Sequence, residues 1–155
     1  MPLFSEQTLV PLLQRLVRHP SEQTALQEED PAVKAFITDC VVPEIAALGL
    51  EPARYDGMGN LILELGPADT GKSILFATYA MTHQAARMVD PFSASVIDTA
   101  SGPAVRGRGV AEQKTAMTAA LAAIAQAHRD GLRGRIILTV LSAGETGRHT
   151  AIESV

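Results

Sequence analysis

The chain has 155 residues, 46% of them apolar, which suits one domain with a sizeable core. A net charge of −4, dispersed Lys and Arg, 4% aromatics and no tryptophan argue against a nucleic-acid partner or a base-stacking platform. The apolar runs fall short of the roughly 18–20 residues a membrane span needs, Met1-Pro2-Leu3-Phe4-Ser5 lacks the pattern of a signal peptide, and Cys40, the sole cysteine, allows no internal disulfide and fits a reducing, cytoplasmic setting.

Ser5 is placed to cap a helix to about Arg18, with Leu9, Leu12, Leu13, Leu16 and Val17 on one face. Residues 21 to 30 are polar and acidic and read as a loop. Asp30-Pro31 opens a second helix carrying Val33, Phe36, Ile37, Cys40, Val41 and Ile45, with a kink expected at Pro43 and a stop at Gly49. Met58-Gly59-Asn60 reads as a turn and Leu61 to Leu65 as a strand. The continuous apolar run Ile74 to Ala77 predicts a strand covered on both faces. Residues 84 to 104 look irregular. An alanine-rich helix is expected from Glu112 to Arg129, stopped by Gly131, and a buried strand from Arg135 to Leu141. Helices, then strands, then a strand-helix-strand unit predict an α/β layering.

Two segments carry chemistry. Val105-Arg106-Gly107-Arg108-Gly109-Val110-Ala111-Glu112-Gln113-Lys114 precedes the alanine-rich helix, and Ser142-Ala143-Gly144-Glu145-Thr146-Gly147 follows the last strand. In a parallel sheet both Glu112 and Glu145 can lie at one end, where open α/β sheets build their sites. Two carboxylates there suit a divalent metal or acid/base work. Each also has a plainer reading, Glu112 as a first-turn residue favoured by the helix dipole and Glu145 as a surface charge in a turn. His83 and His149 are the histidines placed to add nitrogen ligands, giving a mixed N/O set suited to zinc. His19 and His128 sit at helix ends, where a cation suits the dipole. Gly66-Pro67-Ala68-Asp69-Thr70-Gly71-Lys72-Ser73 fits a phosphate-binding loop, which requires a helix directly after it, or else is a polar hairpin turn.

Taken in order, these segments resemble the N-terminal part of the aminoacylase, acetylornithine deacetylase and succinyl-diaminopimelate desuccinylase family, co-catalytic zinc hydrolases that cleave amide bonds. The likeness runs through Leu16-Val17-Arg18-His19-Pro20-Ser21, Tyr55-Asp56-Gly57-Met58-Gly59-Asn60-Leu61, Asp90-Pro91-Phe92-Ser93 to Ile97-Asp98, the Arg106 to Lys114 loop and Glu145-Thr146-Gly147. It implies a partial three-layer α/β/α hydrolase domain over residues 1–155, with a mostly parallel mixed sheet incomplete at its C-terminal side. The lid or dimerisation domain and the last catalytic strands would be missing. It further implies one or two zinc ions, a bridging carboxylate at Glu112 and a ligand at Glu145.

The chain departs from that pattern at several positions. The family's first zinc His and its orienting Asp fall on Tyr79 and Met81, and its general-base Glu falls on Gly144. Of five expected side chains, two survive in kind. The resemblance thus implies a metal-dependent hydrolase of a small acylated amino-acid-like or peptide substrate, as a fragment or a divergent member. The alternative is a non-catalytic relative used for binding or assembly, and a nucleotide binder is a third reading. An incomplete sheet would expose an edge suited to a homodimer or to pairing with a second chain.

Overall fold

A computed structural model describes residues 4–69, 71–144 and 150–155. Helix α1 (Glu6–Arg18) begins after Ser5, whose hydroxyl meets Thr8 Oγ1 at 3.1 Å rather than a backbone amide. Its buried face is Leu12, Leu13, Leu16 and Val17, as the spacing predicts. Asp30 caps α2 (Pro31–Ala35) by accepting from the Ala32 amide at 2.8 Å. The expected kink takes the form of a π-helical segment (Phe36–Val41) between α2 and α3 (Val42–Ala47). Pro43 has no amide proton to give to the turn before it. The ladder widens just ahead of it, where the Val42 amide bonds the Ile37 carbonyl. Gly49, at φ +75°, ends the run. Arg15 forks onto both oxygens of Glu44 and ties α1 to α3.

The main sheet has four strands in the order β1 (Ala53–Tyr55), β2 (Leu61–Leu65), β6 (Arg135–Leu141), β3 (Ser73–Tyr79). It is mixed, as expected, but the balance differs from a mostly parallel sheet. β3 runs parallel to β6, while β2 is antiparallel to both β1 and β6. The parallel pair is joined through α4 (Gln113–Arg129), as a crossover requires. Register places Leu61, Leu63 and Leu65 opposite Val140, Leu138 and Ile136 on one face. These residues join Leu12, Leu16, Phe36, Ile37, Ile45, Met117, Leu121 and Ile124 in one core. The alanines of α4 let it approach closely, and Ala122 and Ala125 are fully buried.

Three expectations need correction. The strand at 74 to 77 exists, but it is open at its start, where Ile74 is 59% and Leu75 56% exposed, and only Phe76 packs against the core. An unbroken apolar run signals two covered faces only if neighbouring layers reach it, and among the described residues β3 is an end strand of the sheet. Residues 84 to 104 are not irregular throughout. They hold β4 (Ser95–Thr99), which pairs antiparallel with β5 (Gly102–Arg106) across a turn with Gly102 at φ +110°. This hairpin packs on α1 through Leu13, Val17, Ala94 and Val105. The stretch Gly66 to Ser73 leads from β2 directly into β3, so the helix that a phosphate-binding loop needs is replaced by a strand. No helix among the described residues is long and apolar enough to cross a membrane.

Candidate functional site

The loop from Gly107 to Lys114 is held from several sides. A Cβ on Gly107 would lie 2.4 Å from Val17 Cγ1, and the Arg108 amide bonds the Pro91 carbonyl at 2.6 Å. Gly109 has φ +89° and no room for a Cβ beside the Lys114 side chain, 2.8 Å away. Glu112 is the N-cap residue of α4, but its carboxylate makes no cap bond. Its two oxygens serve other groups. Oε1 accepts from Arg108 Nη1 at 2.5 Å, and Oε2 accepts from the backbone amide of His83 at 3.1 Å. The Glu112–Arg108 pair is mostly buried, at 14% and 20% side-chain exposure. Arg108 Nε is buried without an acceptor among the described residues.

The turn after β3 thus joins the loop before α4, which brings His83 and Glu112 together. A further carboxylate attends this turn: Glu22 Oε1 accepts from the Ala85 amide at 2.5 Å. The Ser21–Gln23 segment holds the same turn through Thr82, whose amide bonds the Ser21 carbonyl at 2.8 Å and whose carbonyl accepts from Gln23 at 2.7 Å.

Lys114 anchors the far side of the loop. It is 1% exposed. Nζ donates to the carbonyls of Leu16 at 2.9 Å and His19 at 2.6 Å, and stands 4.5 Å above the Phe36 ring. These carbonyls close the C-terminal end of α1, where a cation complements the helix dipole. Burial pulls the Lys114 ammonium down to about 8, against the pull of Cys40, Glu112 and Glu22. Cys40 is a packed core thiol, 3% exposed and pushed by burial to about 11, so it is no nucleophile at neutral pH.

At the end of β3, the ring of Tyr79 lies against the backbone of Gly144. A Cβ on Gly144 would sit 2.2 Å from Tyr79 Cγ. A side chain at 144 and the phenol at 79 therefore exclude each other. Met81, 2% exposed, belongs to the main core. Glu145 and His149 lie outside the described residues.

No protein-family model matches the chain. No curated protein matches it either. Solved structures do. Human carnosine dipeptidase 1 aligns over 95% of this chain and 34% of its own, with TM-score 0.69 and 18% identity. An M20 family metallo-carboxypeptidase from Sulfolobus solfataricus aligns over 88% and 30%, with TM-score 0.68 and 17% identity. A tripeptidase from Staphylococcus aureus aligns over 97% and 40%, with TM-score 0.68 and 18% identity. The chain shares its fold with part of each of these structures. It spans between 30% and 40% of the length of these three structures, so it holds part of that fold, as the sequence resemblance implies.

Among the described residues, no three His, Cys, Asp or Glu side chains gather to hold a metal ion. Glu112 has both oxygens engaged, and His83 reaches it through its backbone. The described donors therefore form no zinc site by themselves. Glu22, Arg108 and Lys114 are the neighbours that sequence reasoning did not single out. Lys114 was visible in the loop, but nothing in its spacing shows that it turns inward.

A polar clasp joins the end of β6 and α5 (Thr150–Glu153) to the Asp56–Asn60 turn. Asn60 is fully buried, and its Nδ2 donates to Asp56 Oδ2 at 2.7 Å and to the Ala151 carbonyl at 2.6 Å. Its Oδ1 accepts from the Ser142 amide at 2.9 Å. Residues on both sides of 145–149 are thereby tied to the Asp56–Asn60 turn. Burial pushes Asp56 upward, but hydrogen bonds from Ser154, Asn60 and Met58 outweigh it and hold the carboxyl below 3.8. Because the folded value is depressed, this contribution is complete above the unfolded pKa and fades as pH falls through the folded one. Denaturation midpoints of wild type and Asp56→Ala are therefore expected to converge below pH 4 and to differ most near neutrality.

Proposed function

We propose that this chain is part of a divergent metal-dependent, peptidase-type hydrolase that cleaves a C–N amide bond in a small peptide or acylated amino acid. The observation that carries the reading is the alignment of 88–97% of the chain with solved metallopeptidases. It is supported by Glu112 at the start of α4, beside the His83 turn at the end of the neighbouring strand. In this reading Glu112 and Glu145 hold zinc, with His83 or His149 adding nitrogen. The single buried cysteine suits a cytoplasmic setting.

The site is altered. Gly144 offers no carboxylate to take a proton from water, and Tyr79 fills the space one would need. Loss of a general base typically lowers a rate by about 10² to 10⁴-fold, so slow turnover is expected from this chain. Arg108 already balances the charge of Glu112, so metal binding has to displace or share that guanidinium. The same two observations favour a second reading, a non-catalytic relative whose site binds without cleaving. Metal uptake separates the two, followed by amide cleavage assayed on dipeptides and N-acyl amino acids. Zinc lost on Glu112→Ala and Glu145→Ala, with measurable cleavage, supports the hydrolase. A folded chain without metal or cleavage supports the binding module.

A further inference from the structure

Arg108 is presented to Glu112 from a fixed point. Its neighbours are Gly107, where a Cβ would strike Val17 of α1, and Gly109, at φ +89° and pressed against Lys114 of α4. A side chain at either position would force the loop away from its helix. The Arg108 amide bonds the Pro91 carbonyl at 2.6 Å. From there the guanidinium meets Glu112 Oε1 at 2.5 Å, while Oε2 is held by the His83 amide at 3.1 Å. Each oxygen of the carboxylate therefore already accepts a hydrogen bond.

The pair is unlike an ion pair on the surface. With side-chain exposures of 20% for Arg108 and 14% for Glu112, solvent and salt screen it only in part. Arg108 Nε is buried with no acceptor among the described residues, and Glu112 is the carboxylate that answers the guanidinium there. Withdrawing Arg108 would leave a mostly buried cation without that partner, which is a costly state. A divalent ion that approaches Glu112 thus has two routes. The guanidinium leaves at that cost, or two positive groups share one carboxylate and repel each other more strongly than they would in water. Both routes weaken the hold of Glu112 on a metal.

We propose that Arg108 is an internal counter-ion that competes with a divalent cation for Glu112 and so sets the affinity of this carboxylate for metal. The inference rests on the hydrolase reading only in taking Glu112 as a carboxylate that a metal seeks. Arg108 acts through Glu112 and is a positioning residue.

The probe is zinc alone, titrated calorimetrically into the wild-type chain, Arg108→Gln and Arg108→Lys, each checked by circular dichroism. Arg108→Gln removes the charge and should bind zinc about tenfold more tightly than wild type, or better. Arg108→Lys keeps the charge without the planar fork and should fall between the two. Adding Glu112→Ala to Arg108→Gln should abolish the gain. A second measurement needs only the wild type to be folded and bound. The Arg108 Nε–H signal in nitrogen-edited NMR, assigned by its loss in Arg108→Lys, should exchange with solvent faster as zinc is added. Zinc that binds Arg108→Gln no more tightly than wild type, or an Arg108 signal unmoved at saturation, overturns the proposal. The hydrolase reading then stands if Glu112→Ala still loses the metal. Zinc bound by neither wild type nor Arg108→Gln overturns both.

Discussion

Lys114→Ala is expected to destabilise the chain by about 3–5 kcal/mol, from two carbonyls left without their donor and the void of the lost side chain. The carbonyls of Leu16 and His19 lose a donor inside the protein, and each buried group left unpaired costs about 1–3 kcal/mol. The aliphatic stem leaves a void beside Phe36 and Gly109. The last turn of α1 loses the cation that complements its dipole. Lys114→Met keeps most of the volume and removes the donor, so its loss should be smaller than that of Lys114→Ala by the cost of the void. Urea denaturation followed by circular dichroism measures both. An unchanged midpoint in Lys114→Ala would show that the ammonium does not join the loop before α4 to the end of α1.

The second large effect is expected at Gly144. Gly144→Ala places a methyl carbon 2.2 Å from the Tyr79 ring, and overpacking of this kind costs about 1–3 kcal/mol. Gly144→Glu should cost more. Relief should come from the other partner: in a Tyr79→Ala background the same methyl meets no ring. A double-mutant cycle should therefore show a coupling of about 1–3 kcal/mol in favour of the double variant. Additive losses would show that the ring and the glycine are independent, and the missing carboxylate at 144 would then need another cause.

These two sites illustrate what was legible in the sequence. The strands at 61–65 and 135–141 and the alanine-rich helix are local patterns, apolar period and turn residues, and the structure matches them closely. The hairpin of β4 and β5 was not legible, because Ser95-Val96-Ile97-Asp98-Thr99 is short and its strand character comes from pairing with Gly102–Arg106. The openness of β3 was not legible either, since an apolar run says nothing about whether its neighbours arrive. At the candidate site, the motif order drew attention to Glu112 and to Tyr79, Met81 and Gly144 as expectations. What the motifs could not convey was contact across the fold: Arg108 on Glu112, Lys114 under α1, and Tyr79 against Gly144. The last turns two separate departures from the family pattern into one packing unit.

The most direct measurement is zinc bound per folded chain after equilibrium dialysis, with Glu112→Ala and Glu145→Ala dialysed alongside. About one or two ions on the wild type, reduced in both variants while their circular dichroism is unchanged, is the expected result. A folded chain without zinc, or with zinc that both variants retain, would contradict a metal site built on these carboxylates.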